Sequence, residues 1–265
     1  MDHVGGALYE GGMSNATPIP ATIRAEEAAH FGKLAEDWWN PKGSSGMLHR
    51  LNPVRLGFIR AAIDSHFGTD PRALRPLAGR RGVDVGCGAG LLAEPLARLG
   101  ATMTGIDAAE DNVRVAADHA AAMGLSIEYR CGDVAELGLA GFDLVTAMEV
   151  IEHVADKRAF IAALAGALAP DGLMIVSCPN RTVASRLLLV EGAERVGLVP
   201  RGTHHWDDFV TPIELHDLFA EAGLTMGNPR GIAWHPLKGL HLSDDVSLNY
   251  IATITHGSCA ARVDS

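Results

Sequence analysis

The chain has little that would tie it to a polyanion, a disulfide framework or a bilayer. Lys and Arg number 22 against 32 Asp and Glu, for a formal net charge of −10. A general nucleic-acid surface needs the opposite imbalance, because phosphates reward clustered cations. The four cysteines, Cys87, Cys131, Cys178 and Cys259, stand far apart and form no CxxC pair, which argues against a zinc knuckle or a disulfide scaffold and fits a reducing cytoplasm. No run approaches the ~20 apolar residues that span a bilayer. The start, Met1-Asp2-His3-Val4-Gly5-Gly6, lacks the basic-then-apolar order of a secretory leader. There is no internal repeat. The expectation is a cytoplasmic protein, peripheral on the inner face of a membrane at most, that acts on a small molecule.

What is present suits one large α/β domain: 265 residues with 48% hydrophobic composition. Residues 1–22 are rich in Gly, Pro and small polar side chains and read as a disordered tail. A single domain then covers 23–256. Its first part, 23–70, carries apolar residues at helical spacing in Ile23–Trp39 and Val54–Phe67, a helical cap. Its core, 80–180, alternates strand-like runs (Gly82–Val85, Thr102–Asp107, Ile127–Cys131, Asp143–Ala147, Leu173–Cys178) with helical ones. Two late apolar stretches, Leu224–Met226 and Asn249–Thr255, add strands. This pattern predicts a doubly wound, Rossmann-like sheet of seven mostly parallel strands, with an insertion at 181–208 after the fifth and a tail at 257–265.

Residues 83–90 read Val-Asp-Val-Gly-Cys-Gly-Ala-Gly, and Asp107 closes the next strand about 20 residues on. Gly86, Gly88 and Gly90 let the backbone turn sharply against a ligand, while the carboxylate of Asp107 can accept two ribose hydroxyls. The outline serves both NAD and S-adenosylmethionine. The dinucleotide fingerprint wants Gly or Ala five residues after its first Gly, where this chain has Leu91, and a pyrophosphate has no use for Asp84 beside the turn. The sulfonium cofactor is favoured.

After the fourth strand comes Met148-Glu149-Val150-Ile151-Glu152-His153-Val154. A helical turn from Glu149 would put Glu149, Glu152 and His153 on one face, at i, i+3 and i+4, where they could hold a divalent cation. Alternatively the glutamates favour a helix start and His153 lines a pocket or acts as a general base.

The glycine turn, Asp107 and the 149–154 run resemble class I S-adenosylmethionine-dependent methyltransferases. The flanks, Phe31 to Asn40 with Trp38-Trp39 and Leu48 to Gly57 with His49-Arg50-Leu51-Asn52-Pro53-Val54-Arg55, are similar to the ubiquinone biosynthesis O-methyltransferase family, as are Val199 to His204 and Asn249-Tyr250. The resemblance covers about residues 30 to 256. It implies cofactor contacts from Arg55 (methionine carboxylate), Gly86, Gly88, Asp107, Met148, and Asp133 with Val134 beside adenine. It also implies magnesium on Glu149, Glu152 and His153, catalysis by that cluster, and a polyprenylated quinone precursor as substrate. Without metal, His153 is the first candidate base, and His204 or His205 the second. For 183–198, with Leu187, Leu188, Leu189 and Val190 between arginines, two readings stand: contact with an anionic membrane, or an ordinary helix over the active site.

Overall fold

A computed structural model describes residues 22, 25–43, 45–186 and 206–257. Seven strands form the main sheet: β1 Arg81–Val85, β2 Thr102–Asp107, β3 Glu128–Cys131, β4 Phe142–Met148, β5 Leu168–Pro179, β6 Leu224–Met226 and β9 Asn249–His256. Their spatial order is β3-β2-β1-β4-β5-β9-β6. The first five run parallel, and β9 enters antiparallel between β5 and β6. The order reverses at β1, which leaves a crevice beyond the carboxyl ends of β1 and β4, the usual place for a ligand in an open α/β sheet. The expected seven-stranded, mostly parallel sheet is thus observed.

The strands belong in the centre because both of their faces are apolar. In β4, Leu144 joins the cluster beneath the helices α2 (Gly46–Phe67) and α3 (Ala93–Arg98), while Val145 and Ala147 face α5 (Lys157–Ala167) and α6 (Pro212–Glu221). In β5 the same alternation sends Leu173 and Ile175 one way, Met174 and Val176 the other. Phe160 of α5 and Phe219 of α6 are fully buried against that second face; each aromatic contributes about 3–5 kcal/mol as judged by truncation to Ala. A capping box formed by Thr211 and Glu214, with Pro212 in the first turn, sets the start of α6.

The cap departs from expectation in its boundaries. The first helix, α1, covers only Ala25–Gly32, and a 3-10 turn at Ala35–Asp37 follows. In contrast α2 begins at Gly46, not near Val54, and carries Pro53 inside it. Tertiary packing overrides the local preference against an interior proline: Ile59 and Ile63 are buried under the sheet, and Arg55 is buried toward the crevice. Two further strands, β7 (Gly231–His235) and β8 (Gly239–Ser243), pair as a separate hairpin that no periodicity in the sequence announced. Of the 181–208 insertion, residues 187–205, including His204, His205 and most of 183–198, lie outside the described residues.

Candidate active site

The glycine turn leaves β1 with φ of 72°, 52° and 88° at Gly86, Gly88 and Gly90, values open to glycine and strained for other residues. The main-chain N–H groups of Gly86 and Cys87 both donate to the carbonyl of Ile106, at 2.8 and 2.9 Å, so the turn is bolted to β2. Space reinforces the requirement. A Cβ on Gly86 would strike Val150, and one on Gly88 would strike the ring of Trp38. Trp39 anchors the same turn from outside: its indole N–H donates to the Ala89 carbonyl at 3.0 Å, and its ring stacks on His119 at 3.5 Å between centroids. His119 Nδ1 lies 2.6 Å from Glu94 Oε1. The Trp-Trp pair therefore clamps the cap onto the glycine turn.

Asp107 stands at the end of β2. Its Oδ2 accepts from the Gly88 N–H at 2.8 Å, and its Oδ1 accepts from Ala109 N–H at 2.9 Å and Asn112 Nδ2 at 3.0 Å. A carboxylate offers about four lone-pair sites, so acceptor capacity remains for a hydroxyl. Burial raises the acid's pKa, opposed by those three hydrogen bonds. Asp84, beneath the turn, accepts from Thr146 Oγ1 at 2.6 Å, and burial pushes its pKa up to about 7, with the nearby charge of Asp107 adding to the rise.

These residues border a cavity of about 410 Å³. Arg55, Gly86, Asp107, Met148, Glu149 and His153 all lie on its wall, as does Asp84. Gly88 does not, being roofed by Trp38. Asp133 and Val134 are buried but also stand off the wall. The cause at Asp133 is Thr22, whose backbone N–H and hydroxyl both donate to that carboxylate, the hydroxyl at 2.9 and 2.8 Å from the two oxygens. The Thr22 carbonyl in turn accepts from Ala155 N–H at 2.7 Å. Charge on the wall is lopsided: among the described residues three carboxyl groups, of Asp84, Asp107 and Glu149, face one guanidinium, that of Arg55.

The helical alignment expected of Glu149, Glu152 and His153 is not what forms. Glu149 has φ of 57°, a left-handed conformation, and the 3-10 turn covers only Ile151–His153. The reversal aims Glu149 back at α2, where Oε1 accepts from Arg55 Nη2 and from Ser177 Oγ, each at 2.7 Å. Strain of about 1–2 kcal/mol at a non-glycine left-handed residue is offset by this buried pair. Glu152 turns inward: it is 2% exposed, is absent from the cavity wall, and both carboxyl oxygens are buried without a hydrogen-bond partner. Burial first, and then the charge of Glu149, raises its pKa to about 8. His153 Nε2 is 3.9 Å from Glu152 Oε1, too far for a hydrogen bond, and its ring packs edge-on against Phe31 at 5.0 Å. Among the described residues no group of three or more His, Cys, Asp or Glu side chains is placed to hold a metal ion. Glu149 is taken up by Arg55 and Ser177 and Glu152 lies off the cavity wall, so as placed the expected magnesium ligands do not present a shared cation site to the cavity.

Sequence reasoning passed over three participants. Trp38 and Thr22 act through contacts with residues 50 and 111 positions away, and Ser177 reaches Glu149 from the neighbouring strand. Only Trp38 carried a signal, as half of an unusual Trp-Trp pair.

The fold and the sequence are those of known methyltransferases. A family model described as a methyltransferase domain matches residues 60–227. A ubiquinone biosynthesis O-methyltransferase from Azorhizobium caulinodans is 49% identical over 234 residues, 87% of this chain and 92% of that protein. One from Methylobacterium sp. (strain 4-46) is 46% identical across 90% of this chain and 97% of its own length. Among solved structures, the magnesium protoporphyrin IX methyltransferase of Synechocystis PCC 6803 with bound SAH superposes with a TM-score of 0.54 at 22% identity, covering 85% of this chain and 99% of that one. A SAM-dependent methyltransferase from Aquifex aeolicus gives 0.55 at 13% identity, covering 87% and 98%. These two likenesses concern the fold.

Proposed function

The chain belongs to the ubiquinone biosynthesis O-methyltransferase family, and from that premise we propose that it methylates a phenolic hydroxyl of a polyprenyl catechol or hydroxyphenol intermediate, with S-adenosylmethionine as donor. The observation that carries the reading is the charge of the cavity wall. With Glu149 paired to Arg55, Asp107 and the partly ionised Asp84 leave the wall negative, which disfavours a pyrophosphate, as in NAD, and suits a ligand that bears a sulfonium, an ammonium and one carboxylate.

S-adenosylmethionine supplies a methyl group activated by a positive sulfur, whose charge vanishes on transfer. The protein's part is binding, orientation and handling of one proton. Arg55, on the cavity wall with its Nη2 engaged by Glu149, offers the guanidinium that would bind the carboxylate. Asp107 keeps acceptor capacity for ribose. Asp84, raised to about 7 by burial, gains from any cation placed beside it. His153, on the wall, is the imidazole assigned to take the phenol proton, leaving a phenolate to attack in line. The apolar side chains of Phe31, Leu34 and Trp38 line the cap side and exclude water from the transfer. Magnesium would need Glu152 to turn out of the core and Glu149 to release Arg55, so no step is assigned to it.

Contact of the 183–198 segment with an anionic membrane remains part of the proposal, resting on its composition. No helix among the described residues is long and apolar enough to cross a membrane. The deciding experiment incubates the protein with S-adenosylmethionine and a short-tailed prenyl catechol and maps the methylated oxygen. Absence of methyl transfer, together with calorimetric binding of NADH in place of S-adenosylhomocysteine, would overturn the assignment.

A further inference from the structure

The cavity of about 410 Å³ is of the size that encloses a single drug-sized ligand. On the substrate reading above it has to take the cofactor and an aromatic ring, and a tail of several isoprene units needs further room. The wall is complete toward the glycine turn, where Trp38 roofs Gly88. Met47 of α2 and Trp234 and Leu240 of the β7–β8 hairpin also line the cavity. These same three residues line a second, shallow depression, together with Arg50, Pro53 and Val54. The two spaces are therefore neighbours that share these three residues, the inner one bounded by His153 and Glu149 and the outer one by Arg50.

We propose that this groove between α2 and the β7–β8 hairpin is the binding site for the substrate's isoprenoid tail. The assignment rests on the substrate reading above. Met47, Arg50 and Val54 recur at helical spacing on one side of α2, while Leu48, Leu51, Asn52 and Arg55 face the cavity. Across from them, Trp234 and Leu240 are directly paired in the hairpin ladder and so share one face. Trp234 is 68% exposed, which leaves its ring accessible to a ligand lying in the groove. The lining is apolar apart from Arg50, whose charge marks the solvent end. A flexible hydrocarbon chain needs such a trough, since it gains from burial of each methylene and asks for no hydrogen bond.

The test compares kcat/KM for a catechol with a prenyl tail and for the same catechol without one. Val54→Glu alters the outer groove alone. It is expected to lower kcat/KM on the tailed substrate by about 10-fold, through KM, and to leave the tail-less substrate within about 2-fold. Leu237→Ser, on the same hairpin but off the groove, should change neither. A second measurement uses a tailed catechol carrying a diazirine at its far end, whose photolabel should fall on residues 47–54 or 234–240. Equal losses on both substrates with label elsewhere, or no loss at all, overturn the groove. If the wild-type protein methylates neither catechol, the substrate reading fails first and takes the groove with it.

Discussion

Arg55 Nη2 lies 2.7 Å from Glu149 Oε1, an ion pair between the middle of α2 and the residue that leaves β4. Arg55 is 3% exposed and Glu149 22%, so each neutralises a charge that the other could not keep buried alone. The pair ties the cap to the catalytic edge of the sheet. It also fixes the guanidinium on the cavity wall.

Arg55→Lys is expected to weaken S-adenosylhomocysteine by about 10- to 100-fold, the loss of one charge-assisted, directional contact of ~1.5–3 kcal/mol. Isothermal titration calorimetry reads this directly. Unchanged affinity would remove Arg55 from the carboxylate site.

Thr22 competes for Asp133. Both oxygens of that carboxylate receive the hydroxyl of Thr22, and Oδ2 receives its backbone N–H as well, so an adenine amino group would have to displace it. Removing residues 1–22 is expected to tighten S-adenosylhomocysteine by about 10-fold, the worth of one hydrogen bond to a charged group. Weaker binding after truncation would instead make Thr22 part of the cofactor's wall.

Stability should fall with rising pH. Burial raises Glu152 from 4.5 to about 8 and Asp84 from 3.8 to about 7. In both cases the folded protein keeps a proton that the unfolded chain has already released. The stability they contribute is therefore fully present below the ordinary carboxyl pKa values and lost as pH climbs through about 7 and 8. Glu152→Gln, a neutral isostere, should flatten this dependence and raise the melting temperature by a few degrees near pH ~8.5. Thermal melts at several pH values decide it; parallel curves for the two proteins would show that Glu152 does not titrate in this window.

Gly88→Ala sets a methyl group against the Trp38 ring at φ of 52°. The expected loss is about 2–3 kcal/mol, combining backbone strain with overpacking. If Trp38 is the obstacle, Trp38→Ala in the same chain should relieve part of the added loss. Additive effects in this double-mutant cycle would show that the backbone alone resists the change.

The sheet was legible because its signals are local. Four of the five strands at 81–179 follow a helix at short range, and runs such as Leu173 to Val176 are apolar on both faces. The turn at Gly86 to Gly90 and the acid at Asp107 are likewise set by neighbours in sequence. Helix starts were less legible: apolar spacing placed the second helix at Val54–Phe67, yet α2 begins at Gly46 and runs through Pro53, because packing of Ile59 and Ile63 outweighs one lost backbone hydrogen bond. The hairpin at Gly231–His235 and Gly239–Ser243 escaped notice, as its alternation is short and partly exposed.

The sequence by itself determined that an adenosine-bearing cofactor meets a glycine turn at the carboxyl edge of a parallel sheet, since turn chemistry and apolar periodicity act within about 20 residues. The tertiary structure decided what that edge can do. Arg55 finds Glu149 across 94 positions and Thr22 finds Asp133 across 111, pairings set by how the cap closes on the sheet. The same closure favours a left-handed Glu149, whose carboxylate is held by Arg55 and Ser177. A motif that would align three ligands on a helix thus becomes an ion pair, a buried neutral acid and a histidine on the cavity wall.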